Sequence, residues 1–426
     1  MEPFAVTRKR KLRALIDARQ KELVELCSKT IGIPTDNPPG DTRQLAHFLK
    51  DYLGGYGINA KVYEPRPETP ILVASLEGSR KTPHLILNAH MDQFPADMNQ
   101  LWDFGPYCGE VRDGKICGRG AGDMKGGLSA LTFAFCLLKE MNLNLPGKVT
   151  LTIVSDEETG GRWGTGWLLE NVQGLAPDAC LNSEPSGLTV RIGEKGIFQI
   201  RLRASGKQAH GSFAGYAGDN AITKMAKTLP LIENFRNIRD KSTGETEWVT
   251  QEAMKGFEVQ YGHVAPGMSK ALRHVSVNIG MIRGGTKVNI VPRTCEMEID
   301  MRLPLGVTQQ EIKRRLNEEL GKTNETITWE YLAHESTIFD ANYTSPRERI
   351  VEILCRNAAE VAGKPPLFSF TSGATDCRYF RKRNVPSAVY GPTVHNMAAA
   401  NEYITVDDLV TVTKVHACSI VDFLVP

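Results

Sequence analysis

Val149-Thr150-Leu151-Thr152-Ile153-Val154 followed by Ser155-Asp156-Glu157-Glu158-Thr159-Gly160-Gly161 is the stretch on which the fold turns. Six apolar or β-branched residues predict a strand buried on both faces, as in a parallel sheet covered by helices. Three consecutive carboxylates then sit where that strand leaves the sheet. They repel one another, and near a buried sheet edge they are costly unless cations neutralise them. An exposed acidic loop is the alternative that this stretch alone leaves open.

Working outward, the same grammar recurs. Upstream, strand-like runs at Ile71 to Leu76 and His84 to Leu87 precede a long apolar helix from about Lys125 to Lys139. An amphipathic helix over residues 9 to 29 and a second over 42 to 54 open the chain around the Pro-rich turn Ile33 to Gly40. From about Lys195 the texture becomes βαββαβ: strand at Phe198, helix from Asn220 to Leu231, strands at Val275 to Met281 and Val288 to Met301, helix from Gln309 to Leu320, strand at Ile327 to Leu332. Residues 234 to 272 read as an insertion or long loop. After about Ser336 the α/β pattern returns. The expectation is an α/β protein, a mainly parallel sheet split around an inserted, ferredoxin-like α+β domain, with residues 1–193 and 336–426 in one domain and 194–335 in the other.

Four more clusters fall at strand or helix ends, where open α/β sheets bind ligands. Asn88-Ala89-His90-Met91-Asp92 closes an apolar strand, and its i, i+2 spacing puts Asp92 within reach of the His90 ring. Alone, that pair is weak evidence against a plain surface histidine. Gly118-Arg119-Gly120-Ala121-Gly122-Asp123 lacks phosphate-loop spacing and presents either a ligand Asp or a helix cap. Asn182-Ser183-Glu184 and Gly391-Pro392-Thr393-Val394-His395 complete the set. Two histidines and several carboxylates suit zinc, and a site this rich in oxygen also accepts manganese or cobalt.

Bulk properties narrow the class. With 51 basic against 49 acidic residues among 426, the chain carries no single-sign field for nucleic acid or an anionic membrane, so a small-molecule substrate is expected. Nine irregularly placed cysteines, no apolar leader after Met1 and no bilayer-length run predict reduced thiols and a cytoplasmic protein.

Taken in order, these motifs resemble the dinuclear zinc metallopeptidases that include acetylornithine deacetylase, succinyl-diaminopimelate desuccinylase, aminoacylase-1-like enzymes and the bacterial glutamate carboxypeptidase. The resemblance spans nearly the whole chain and implies two divalent ions. Asp123 would bridge them, His90 and Glu184 would complete one, and Glu158 and His395 the other. It implies Glu157 as general base, Asp92 as orienter of His90, and a cis Asp123-Met124 peptide. It casts the inserted domain as a lid through which the chain forms a homodimer, with His210 reaching the partner's site. Asn289 and Arg302 would contact substrate, and Arg378 is a further anion contact. The implied reaction is hydrolysis of an amide C–N bond in a small carboxylate-bearing substrate by a hydroxide held between the metals. Ser212-Phe213-Ala214 lacks the family's usual Pro, and Gly391-Pro392-Thr393 stands where many relatives have Gly-Pro-Gly. Both changes fall on substrate-facing parts, so ureido, carbamoyl and aryl C–N bonds stay open, as does a non-catalytic binding role.

Overall fold

The computed structural model describes residues 4–142, 145–262, 265–323, 325–332, 334 and 337–425. The chain divides into two compact units: residues 1–192, 343–369 and 375–426, and residues 193–342 with 370–374. Residues 335 and 336, where the sequence puts the second domain boundary, lie outside the described residues.

The first unit is built on a sheet in which Lys148–Val154, His84–His90, Ala179–Asn182 and Ser387–Val389 lie side by side and parallel. Ile71–Leu76 runs antiparallel at the outer side of Lys148–Val154. Every residue of His84–His90 is buried, as expected of a strand with helices on both faces. The helix Gly126–Glu140 is itself buried all round from Gly126 to Leu138 and packs against the helix Val406–Leu424. Register decides where the chemistry goes: His90 lies opposite Val154, Asn88 opposite Asn182, and Asn182 opposite Val389. The strands therefore end level, and the segments that follow them emerge at one edge.

The second unit is a four-stranded antiparallel sheet in the order Ser276–Gly284, Thr294–Leu303, Gly196–Ser205, Ile327–Tyr331. Phe198, Ile200, Leu202, Met297, Ile299 and Met301 point from alternate positions into a core shared with Met225 and Ile232 of the helix Ala221–Glu233 and Ile312 and Leu316 of Gln309–Gly321. The segment 234 to 272 is not a loop. It carries the helix Glu245–Tyr261, with Val249, Ala253 and Phe257 buried at four-residue intervals and Glu245 and Glu247 in the first turn. That spacing is present in the sequence but diluted by polar neighbours. Among the described residues no helix is long and apolar enough to cross a membrane.

Candidate metal centre

His90 is the last residue of its strand, and its Nδ1 lies 2.9 Å from the backbone carbonyl of Asp92. An N–H donated there leaves Nε2 bare, 3.2 Å from both Asp123 Oδ1 and Glu184 Oε1. The carboxylate of Asp92 is 3.5 Å from Nδ1, farther than the carbonyl. Its main work is elsewhere: it accepts the backbone N–H groups of Glu157 at 3.2 Å and Glu158 at 3.0 Å and Asn37 Nδ2 at 2.9 Å. The expected orienter of His90 is thus also the clamp of the acidic loop. Burial pushes the Asp92 carboxyl up, but the His90 ring and these hydrogen bonds outweigh it and hold it below its ordinary range.

Asp123 is presented by the glycine turn, in which Gly120 takes φ 78° and the Asp123-Met124 peptide is cis. Glu402 fixes the turn. Its carboxylate accepts the N–H of Gly122 at 3.0 Å and pairs with the buried Arg119 at 2.6 Å. Glu184 follows the strand Ala179–Asn182, and its own N–H bonds to Asn182 Oδ1 at 2.8 Å. A Cβ on Gly127 would stand 2.0 Å from the carbonyl oxygen of Ser183, so only glycine lets the long helix approach the Glu184 segment.

Two groups of metal-ligating atoms result, each within 4.8 Å: His90, Asp123 and Glu158, and His90, Glu157 and Glu184. His90 Nε2, Glu158 Oε1 and Glu184 Oε1 are buried and make no hydrogen bond among the described residues. Burial and the neighbouring Asp123 carboxylate push Glu158 and Glu184 upward; burial pushes Glu157 up against the pull of Arg378. Burial pushes His90 down, but Glu184 and Asp123 carry it well above its usual value. Bare donor atoms converging within a crowd of carboxylates are what divalent cations would relieve, so the residues present fit the metals implied.

The expected fifth ligand, His395, belongs to neither group. Its backbone pairs with Tyr403 and its ring stacks on the Tyr403 ring at 4.3 Å, while its neighbour Val394 packs on the Asp123 turn beside Gly122. Arg378 is not an open anion contact either. It is buried, with Nη1 3.3 Å from Glu157 Oε1 and Nη2 donating to the Gly160 carbonyl at 3.0 Å. Arg302, expected to bind a substrate carboxylate, holds both oxygens of Asp300 at 3.0 Å. In the second unit His210 and Asn289 do come together: His210 bridges Ile290, and the Gly211 N–H donates to the Asn289 carbonyl at 2.8 Å. Asn37 and Glu402 escaped sequence reasoning because neither follows a recognisable strand end, and Arg119, though inside the glycine turn, drew no role because its partner Glu402 is 283 positions away.

A cation pocket bordered by a buried, arginine-held carboxylate is the equipment of a metal-dependent hydrolase. Residues 86–422 match the sequence profile of Peptidase family M20/M25/M40, and the chain belongs to that family. It is therefore a hydrolase of the amide-cleaving kind. The N-formyl-4-amino-5-aminomethyl-2-methylpyrimidine deformylase of Bacillus subtilis is 23% identical over 440 residues, 97% of this chain and 96% of that protein. The succinyl-diaminopimelate desuccinylase of Sulfurovum sp. is 25% identical over 395 residues, covering 91% and 95%. The metallo-carboxypeptidase Sso-CP2 of Sulfolobus solfataricus superposes with a TM-score of 0.77 at 21% identity, covering 95% of this chain and 99% of that one. Human carnosine dipeptidase 1 also gives 0.77, at 18% identity and 98% coverage of both. The expected parallel α/β fold and family stand.

Proposed function

We propose that this chain hydrolyses the amide bond of a small N-acyl amine bearing a carboxylate, with Glu157 as general base. The observation that carries the proposal is the meeting of His90, Asp123, Glu158 and Glu184 at one sheet edge with Glu157 beside them in the grip of Arg378. Two divalent ions bound there would supply Lewis acidity and make water acidic enough to attack near neutral pH. Glu157 takes the proton from the attacking water and returns it to the leaving nitrogen, a role worth about 10² to 10⁴ in rate. Asp92 sets the position of the base and of Glu158 through their backbone N–H groups. His395 completes the ligand set by a shift of the turn that follows Val394, and zinc is the metal the mixed nitrogen and oxygen donors favour, with manganese or cobalt as substitutes.

The second unit serves as the lid and dimerisation domain. Its strand Ser276–Gly284 is a sheet edge exposing Met281 and Ile282, a surface suited to pairing with a second copy. His210 is proposed to stabilise the developing oxyanion, and Asn289 to contact substrate. None of the nine cysteines forms a disulfide, which accords with a cytoplasmic home. The deformylase relatives favour a second reading, a formyl group on a heterocyclic amine with no carboxylate on the substrate.

The test is turnover of N-succinyl, N-acetyl, N-formyl and N-carbamoyl substrates by metal-reconstituted protein. Release of amine from one class names the substrate. No release from any of them by protein shown to hold metal would overturn the proposal.

A further inference from the structure

The two arginines expected to meet a substrate carboxylate are already spent on internal carboxylates, Arg302 on Asp300 and Arg378 on Glu157. A different pair is not. Arg66 and Arg162 both stack on Trp163, their guanidinium carbons 4.4 Å and 4.8 Å from its ring centroid. Among the described residues neither side chain donates a hydrogen bond or forms an ion pair with Asp, Glu or the C-terminus.

The pair is bound into the acidic loop from two sides. The Trp163 N–H donates to Asp156 Oδ2 at 2.9 Å, and Asp156 immediately precedes Glu157 and Glu158. The segment bearing Arg66 is held to Ser155, whose hydroxyl donates to the Pro70 carbonyl at 2.8 Å. It is held again through Thr42, whose N–H donates to the Glu68 carbonyl at 3.0 Å and whose hydroxyl lies 2.6 Å from Ser155 Oγ. Arg162 stands only four positions beyond Glu158. Asp156 is the acid facing the pair, and its oxygens are already taken by Thr159 and Trp163. Glu64 and Glu68 lie on the Arg66 segment and pair with neither guanidinium.

Two like charges on one indole repel, and within the chain only the ring itself and the pull of Asp156 on Arg66 offset that repulsion. A guanidinium set against an indole keeps N–H groups that can donate two parallel hydrogen bonds to a carboxylate. We infer that Arg66 and Arg162, held by Trp163, form a subsite for a carboxylate of the substrate beside the metal centre. This rests on the amide-hydrolase reading and deepens it by naming the group recognised. The carboxylate belongs either to a dicarboxylic acyl group or to the leaving amino acid.

The test compares wild type with Arg162→Gln and the Arg66→Gln, Arg162→Gln double variant in the full metal-loaded protein, after thermal unfolding has shown each to be folded. Three substrates separate the sources: N-succinyl-butylamine carries the charge on the acyl side, N-acetyl-norleucine on the amine side, and N-acetyl-norleucine amide on neither. The expected result is a rise in KM of about tenfold for one charged substrate in the single variant, more in the double, with a falling preference for that substrate over the neutral amide. The substrate that responds identifies the side. Unchanged preference in the double variant overturns the inference while the hydrolase reading stands. If none of the three is turned over, calorimetric binding of succinate against succinamide decides the subsite by itself, and the wider panel of acyl classes decides the hydrolase reading. Tighter binding of succinate by wild type than by the double variant supports it; equal binding overturns it.

Discussion

Asp92 shows how one side chain is asked for more than its motif announces. The i, i+2 spacing with His90 is readable in the sequence, but the backbone N–H groups of Glu157 and Glu158, which it also holds, lie 65 and 66 positions away. Asp92→Ala should therefore loosen the base and a ligand together: metal affinity falls about 10- to 100-fold, read by competition with a chelator dye, and turnover falls at saturating metal as well. Loss of metal affinity with full turnover on reloading would restrict Asp92 to the ligand. The same spacing rule was available for Arg302, whose partner Asp300 is two positions back on the same strand face, and it argues against an open guanidinium there. For Arg378 no local rule could have served, because Glu157 is 221 positions distant.

At the scale of elements, strand ends were legible because apolar runs stop sharply at polar residues, and parallel register made those ends level. Close helix approach was not legible. Gly127→Ala should destabilise the protein by about 1–3 kcal/mol and weaken metal binding, since the added methyl meets the Ser183 carbonyl next to Glu184. Gly321→Ala, where a methyl meets open space, should instead stabilise by about 0.4–1 kcal/mol. Urea unfolding of both variants checks the contrast. The closing helix Val406–Leu424 adds a pH dependence. Burial lowers the imidazole of His416 to about 3, with its Nε2 2.9 Å from Ser183 Oγ. Unfolded, it titrates near 6.5, at about its ordinary value. Above that both states are neutral; as pH falls below it the unfolded chain takes a proton the folded one refuses, so this contribution to stability is lost progressively down to about 3. The urea midpoint should drop between pH 7 and pH 5, and by less in His416→Gln.

On the scale of the whole molecule, the order of elements carried the α/β frame and pointed to two units, but not the placing of residues 337–342 and 370–374 in the second of them, and the helix Glu245–Tyr261 was hidden because its buried positions are few among polar ones. A centre built of mutually repelling carboxylates should tie stability to metal. Chelation is expected to lower the melting temperature and abolish activity, and zinc, manganese or cobalt to restore both. An unchanged melting temperature after verified metal removal would contradict that link. The proposed hydrolysis depends on Glu157 acting as base rather than as a further ligand. The most direct measurement is Glu157→Gln assayed for metal content by mass spectrometry and for amide turnover on the best substrate. The prediction is two metals per chain, as in wild type, with turnover reduced at least about 10²-fold. Wild-type turnover, or a loss of activity matched by loss of one metal, would contradict it.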